Sequence, residues 1–421
     1  MKTKFINIHA HIFTVSHAPD YFLQTVIPNR NLAEFVQRLL QKNGTRWIIH
    51  IIKFFIGKEK RGLLEKYIGF LEIGVSSTQE EVFQKVSSSY VKYGDFGIVV
   101  LAQDLDMLDL EDTSSTHKKV KTQVQEILDL KRNAAYQKQI FPFLPVDPRT
   151  PFTLSIPDWL QTYINIDKGF CGIKIYPGMG FYPFDKRLEP VWEWAARNNV
   201  PVMTHCTRVG SFYLGSQQSI TNTGGFLVES LNPQSPAMPA ILNRIRLTLE
   251  NQSIKKKNVM WCNIFGNPQC YEPVLEKYPE LKICFAHLGG TREIIRSVGD
   301  KPLDGYPIEL ADNNWYSEVL RLMKTYKNVY SDISYTLNDD EAMEIVAWEF
   351  SQQNYFDNFG KPMIEKLMYG TDFYMTQQEK EGTEPMLQNN FTEHFKVSGQ
   401  VKTMAYDNTF QFLQNNIYKV L

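Results

Sequence analysis

The chain has 421 residues, 43% of them hydrophobic and 22% charged, with a formal net charge of −1. That length can bury a large core in one elaborated domain or in two, and a balance so close to neutral leaves no electrostatic footprint for nucleic acid or an anionic membrane surface. Residues 1–4 run straight into an apolar strand, which leaves no room for a signal peptide, and the longest apolar stretch, 47–56, is broken by His50 and Lys53 and is too short to span a bilayer. The five cysteines (Cys171, Cys206, Cys262, Cys270, Cys284) are scattered without a C-x-x-C pair, which fits a reduced, cytoplasmic setting.

The first predicted element is a buried strand over 5–9, ending in His9-Ala10-His11. Residues two apart on a strand share a face, so both imidazoles project together from its end. Two neutral imidazoles converging on one point suit a divalent transition metal such as zinc. A pair of unrelated structural histidines is the plainer alternative. An insertion follows over 14–95, expected to be a mostly helical cap. Further strands are predicted at 97–101, 140–146, 172–176, 200–205, 282–287, 328–333 and 366–369. Amphipathic helices are predicted at 188–198, 271–278, 315–326 and 340–353. A second insertion, 206–262, opens with Gly, Ser, Asn and Pro and reads as a long loop over the substrate pocket.

Eight strands alternating with helices form the pattern of an α/β fold, the (β/α)8 TIM barrel. No G-x-G-x-x-G follows the first strand, which argues against an open dinucleotide-binding sheet. A bare barrel needs roughly 250 residues, and both insertions follow the C-terminal end of a strand, the face on which barrel active sites are built. The expectation is therefore one domain over 1–421, with both insertions belonging to it.

Half of the eight histidines fall at that face: His9 and His11 after strand one, His205 after strand five and His287 after strand six. Lys174 lies near the end of strand four and Asp372 after strand eight. Four imidazoles and a carboxylate on the catalytic face point to a metal centre. His17, His50, His117 and His394 fall in insertions or helices and read as surface or structural groups.

The order of these motifs resembles the amidohydrolase superfamily, and within it amidohydrolase family 2. The matching stretches are Ile8-His9-Ala10-His11, Pro145-Val146-Asp147-Pro148, Gly172-Ile173-Lys174-Ile175, Pro201-Val202-Met203-Thr204-His205, residues 281–290 around His287, and Tyr369-Gly370-Thr371-Asp372. The resemblance implies that His9, His11 and His205 are metal ligands. It implies that Asp372 touches the metal and takes a proton from the attacking water. His287 would polarise or protonate the substrate, or bind a second metal if there are two. Lys174 would be a metal bridge if carboxylated. Read as an unmodified cation, it pairs with a carboxylate or with an acidic substrate group.

Three imidazoles and a carboxylate leave room for a water, whose pKa a bound Zn²⁺ lowers from 15.7 to about 7. A neighbouring carboxylate can act as general base and a further histidine can stabilise an oxyanion. The expected activity is metal-dependent hydrolysis of an amide, lactone or ester-like bond in a small molecule, with one or two Zn²⁺ per chain, or Mn²⁺ or Fe²⁺ in their place. The alternatives are a non-oxidative decarboxylase of an unsaturated or aromatic acid, a metal-dependent phosphoesterase, and a non-catalytic barrel that binds a ligand. Tyr176, Arg208 and Arg149 are the expected substrate contacts, the arginines through bidentate bonds to a carboxylate. Asp332 is a candidate to orient a histidine. A homo-oligomer is compatible with the sequence, and the substrate itself is not legible in it.

Overall fold

The computed structural model describes residues 4–25, 73–76, 78–109, 118–150, 155–215, 229–250, 257–299, 313–379, 382–396 and 399–419, together with residues 31, 33–35 and 38. Eight parallel strands run in sequence order around a barrel. They are β1 (Phe5–Ala10), β2 (Phe96–Leu101), β3 (Ile140–Pro145), β4 (Gly172–Ile175), β5 (Val202–Thr204), β6 (Ile283–Phe285), β7 (Val329–Asp332) and β8 (Leu367–Met368). The last strand meets the first: Ile8 N–H donates to the Tyr369 carbonyl at 3.0 Å and Asp372 N–H to the His9 carbonyl at 2.9 Å. The chain is thus a (β/α)8 barrel, with each expected strand in place.

These strands are near-continuous apolar runs because both of their faces are covered. Alternate residues divide between two cores. Ile6, Ile8, Val99, Leu101, Phe143, Met203 and Met368 fill the barrel. Ile98, Val100, Ile173, Ile175, Val202, Ile283 and Val329 face the helices outside. Several helix starts are specified locally: the side chains of Thr78, Ser155, Asn314 and Asp339 accept the backbone N–H of Glu81, Asp158, Ser317 and Ala342, the N-cap arrangement that satisfies an otherwise unpaired helix donor. At the far end of the barrel, Phe412 and Leu413 join the interior core, and Lys282 Nζ ties the carbonyls of Asn199 and Gln414.

The helical cap expected over 14–95 lies largely outside the described residues. Its described ends carry short 3-10 turns at Val15–His17 and Phe22–Thr25 and a helix at Gln79–Ser88. The second insertion differs from the expected loop. It holds helices at Met238–Glu250 and Lys257–Phe265, the first of which buries Met238, Ile241, Ile245 and Thr248 along one stripe. The glycines and serines at the front of the insertion concealed that periodicity. The apolar stretch 47–56, His50 and His117 fall outside the described residues. Among the described residues all five cysteines are buried free thiols, and no helix is long and apolar enough to cross a membrane.

Candidate metal centre

The site begins with a fault in β1. Asn7 pairs with Ile98 but Ala10 with Val100, so β1 uses one more residue than β2 over this step. Such a bulge breaks strict alternation and re-aims a side chain. Ile8 already points into the barrel, and the bulge lets His9 do so too, beside His11.

The protons of these two imidazoles are fixed by their neighbours. His11 Nδ1 lies 3.0 Å from the Leu101 carbonyl, which can only accept, so the ring proton sits on Nδ1 and Nε2 carries a lone pair. His9 Nδ1 faces the Asp332 carboxylate at 3.1 Å and Ser334 Oγ at 3.0 Å, with the same consequence. Both bare Nε2 atoms turn toward Asp372 Oδ1, at 3.4 Å from His9 and 3.3 Å from His11. His9 Nε2 is buried and makes no hydrogen bond. A buried polar atom left unpaired is costly, and here it marks a point where a cation would be held. Donors on a tetrahedron with metal–nitrogen bonds of about 2.0–2.1 Å lie about 3.3–3.4 Å apart. The residues present therefore fit a divalent metal.

A second pair of imidazoles stands opposite. His205 Nε2 is 2.7 Å from the Val209 carbonyl, and His287 Nδ1 is 3.1 Å from the Ser334 carbonyl. Both rings are thereby protonated on their far side, and their remaining nitrogens, His205 Nδ1 and His287 Nε2, face each other at 3.1 Å. Two lone pairs at that distance repel unless a proton or a metal ion lies beside them. The Tyr176 ring stacks on His205 with centroids 4.0 Å apart, and its hydroxyl accepts the Ser211 N–H at 2.8 Å.

Asp332 organises the far side. Fully buried, it holds His9, accepts the His287 N–H at 3.1 Å and the Ser334 N–H at 2.9 Å, and receives the Ser334 hydroxyl. With so many donors on it, Asp332 is an orienting carboxylate in this geometry, although its oxygens lie close to His9 and His287.

Electrostatics match these roles. Burial pushes the His9 imidazole down to about 3, against the opposing pull of Asp332. Burial likewise drives His205 well below its usual value, helped by His287 and Lys174, and lowers His287. The rings are therefore neutral, as a metal ligand must be. Burial alone would raise Asp372, but the closeness of the His11, His9 and His287 imidazoles outweighs it and keeps the carboxyl below its ordinary range. Lys174 Nζ is buried without a hydrogen-bond partner. Desolvation brings it down to about 8, while Asp372 and Asp332 pull it back up.

Backbone strain collects at the same residues. Asp372, His287 and Leu288 have φ of 60°, 65° and 51°, values that side-chain-bearing residues rarely adopt and that cluster at functional sites. Gly289 continues the turn after His287 at φ 84°, where a Cβ would strike the Trp315 backbone at 2.6 Å.

The structure brings His9, His11, His205, His287, Asp372, Lys174 and Tyr176 to one mouth of the barrel. The two arginines are engaged elsewhere. Arg149 grips Asp147 through Nε and Nη2, at 2.9 and 2.6 Å, and donates to the Gly180 carbonyl through Nη1. Arg208 donates to Glu293, Asn263 and the Asn313 carbonyl and lies over the Trp315 ring. Every nitrogen of both guanidinium groups already has an acceptor within the protein. Sequence reasoning missed Ser334 and Asn7, each two residues from a singled-out side chain, and the carbonyls of Leu101 and Val209. His17 is a buried structural group, its Nε2 3.3 Å from Glu126, and His394 Nε2 lies 3.4 Å from Asp340.

A parallel barrel with histidines and an aspartate at its C-terminal mouth defines a class of metal-dependent enzymes. The chain belongs to amidohydrolase family 2: that family's profile, described as Amidohydrolase, matches residues 76–408. The match starts after His9 and His11. No curated protein matches the chain in sequence. Among solved structures, 5-carboxyvanillate decarboxylase from Novosphingobium aromaticivorans, complexed with manganese and 4-hydroxy-3-methoxy-5-nitrobenzoic acid, is similar at 12% identity and a TM-score of 0.50, over 98% of this chain and 96% of its own. A probable 2-pyrone-4,6-dicarboxylic acid hydrolase from Acinetobacter baumannii is similar at 12% identity and a TM-score of 0.46, over 98% of this chain and 99% of its own. The likeness to the decarboxylase is one of fold.

Proposed function

We propose that the chain is a one-metal hydrolase that cleaves an amide, lactone or ester-like bond in a small molecule. The observation that carries this reading is the convergence of two proton-free imidazole nitrogens, His9 Nε2 and His11 Nε2, on the Asp372 carboxylate. With His205 Nδ1 they form a neutral-plus-anionic donor set suited to zinc, with manganese or iron as alternatives. When bound, such a metal supplies Lewis acidity and makes a coordinated water acidic near neutral pH.

The chain's own groups do the rest. Asp372 is the base that takes the proton of the attacking water. His287, protonated on Nδ1 toward Ser334, turns a proton-free Nε2 to the site, through which the proton that Asp372 takes from the attacking water is relayed to the leaving group. Asp332 fixes the orientation of His9 and of the His287 backbone. Tyr176 forms an aromatic wall for the substrate beside His205. The bonds that occupy Arg149 and Arg208 support a scaffolding role for both.

A second reading, non-oxidative decarboxylation of an unsaturated or aromatic acid, is favoured by Lys174. Its buried, unpartnered ammonium could hold a substrate carboxylate beside the metal. The two readings separate in one experiment. Protein purified without chelators is analysed for metal, then assayed with Zn²⁺ or Mn²⁺ on lactones, amides and aromatic acids. About one metal per chain with metal-dependent hydrolysis and no release of carbon dioxide is the expected result. Carbon dioxide release without hydrolysis would replace hydrolysis with decarboxylation. Two metals per chain would make Lys174 a carbamate bridge.

A further inference from the structure

At the β1–β8 seam the regular strand β8 is only two residues long. Past Met368 only single backbone bonds join the chain to β1, and Asp372 itself has positive φ. Yet His9 on one side and Asp372 on the other must lie within a few tenths of an ångström of their working positions. One backbone bond, from Asp372 N–H to the His9 carbonyl, joins the two directly, and side-chain bonds add to it.

The fully buried amide of Asn7 adds a second tie across the seam. Its Oδ1 accepts two backbone N–H groups: that of His9 at 3.0 Å and that of Thr371, the residue before Asp372, at 3.2 Å. Its Nδ2 donates to Thr371 Oγ1 at 2.7 Å and to Tyr90 Oη at 2.9 Å. Thr371 is thus held at two points, its N–H and its hydroxyl. Tyr90 is held in turn by Glu384 at 2.7 Å and Tyr369 at 3.0 Å. The bulge in β1 disturbs the pairing of His9 with β2, and the amide two residues earlier takes up the His9 N–H.

We propose that Asn7 is a positioning residue of the metal centre: one side-chain amide fixes the spacing between the His9 ligand and the Asp372 ligand across the seam. This inference rests on the metal reading of the site. Asn7 touches neither metal nor substrate. Its effect is to set the backbone from which two ligands project. The amide is suited to this because it offers an acceptor to two N–H groups and two donors to hydroxyls at once. Alanine leaves the His9 and Thr371 N–H groups without this acceptor and takes a donor from the Thr371 and Tyr90 hydroxyls. Aspartate keeps the shared acceptor, and the Thr371 hydroxyl can turn to donate to it.

The test is metal affinity, measured by chelator competition with Mn²⁺ and Zn²⁺ on the full chain, with folding followed by circular dichroism and thermal melting. Asn7→Ala should bind metal about 10–100-fold more weakly, the range for outer partners of metal ligands, and Asn7→Asp should recover most of that loss. Lys282→Ala, at the opposite end of the barrel, serves as the control: it should lower the melting temperature and leave metal affinity unchanged. Thr371→Val removes only the hydroxyl half of the grip, and should weaken binding less than Asn7→Ala while remaining folded. Wild-type affinity in both Asn7→Ala and Thr371→Val would overturn the proposal, as would equal weakening by Lys282→Ala. Wild-type protein that binds no metal would instead overturn the reading of the site beneath it.

Discussion

The two sides of the metal centre are built differently. On the β1–β8 side, His9, His11 and Asp372 are set by groups in the core: the Leu101 carbonyl of a strand, the Asp332 carboxylate and the Asn7 amide. On the β5 side, His205 is half-buried and oriented by the carbonyl of Val209, a residue 47% exposed in the loop that follows. A rigid bed faces an adjustable rim. On the proposed reading, three of the metal ligands are set by the core and one by a partly exposed loop, the kind of segment that carries specificity.

The largest expected effect tests the bed. His9→Ala should abolish metal binding, a loss beyond the ~100-fold upper range of an outer partner. His205→Ala should weaken it less, as elemental analysis and chelator competition on both variants would show. Equal loss in the two would break the comparison. Asp332→Asn comes next. It weakens the grip on His9 Nδ1, and metal affinity should fall about 10–100-fold, read by the same competition.

The rim is tested by Gly210→Ala. Gly210 has φ 109° and a Cβ there would run into the Tyr176 hydroxyl and come within 2.9 Å of His205 Nε2. The strain is of the order of 1–3 kcal/mol. Turnover should drop and KM should rise, while metal per chain stays near the wild-type value. Loss of metal in this variant would show that the loop belongs to the bed.

The last test concerns the acid behind the seam, whose effect is on stability and leaves the metal ligands in place. Burial raises the Glu384 carboxyl from 4.5 to about 7, against hydrogen bonds from Thr371 and Tyr90. The folded protein keeps this proton to about pH 7, whereas the unfolded chain releases it near 4.5. The group's stabilising contribution is therefore full below pH 4.5 and is lost as pH rises through 7, a change of about 3 kcal/mol at most. Glu384→Gln should match the wild type in urea unfolding at pH 5 and exceed it at pH 8. A constant difference across that range would show that Glu384 does not titrate in this window.

Much of this was legible in the residues themselves. Strands such as Phe96–Leu101 read as buried because they carry apolar side chains on both faces, and histidines at strand ends are too few and too well placed to miss. What escaped was set by contacts remote in sequence or carried by the backbone. The carbonyls of Leu101 and Val209 decide where two imidazoles hold their protons, yet a carbonyl leaves no residue-type signal. Arg208 follows His205 closely and looked ready for substrate, but its nitrogens are taken by Glu293, 85 residues on, by Asn263 and by the Asn313 carbonyl. Asn7 reads as an ordinary strand polar residue until Thr371, 364 residues away, is placed beside it.

That last separation has a consequence for how the protein is made. During synthesis at about 5–20 residues per second, the first strand waits roughly 20–70 s for the residues that pair with its free edge. Until then a run of isoleucines and phenylalanine has an open side, a template for pairing with other chains. Ribosome-bound nascent chains halted before residue 367 should therefore remain protease-sensitive around β1, and resistance there should appear only once the segment through residue 413 has emerged.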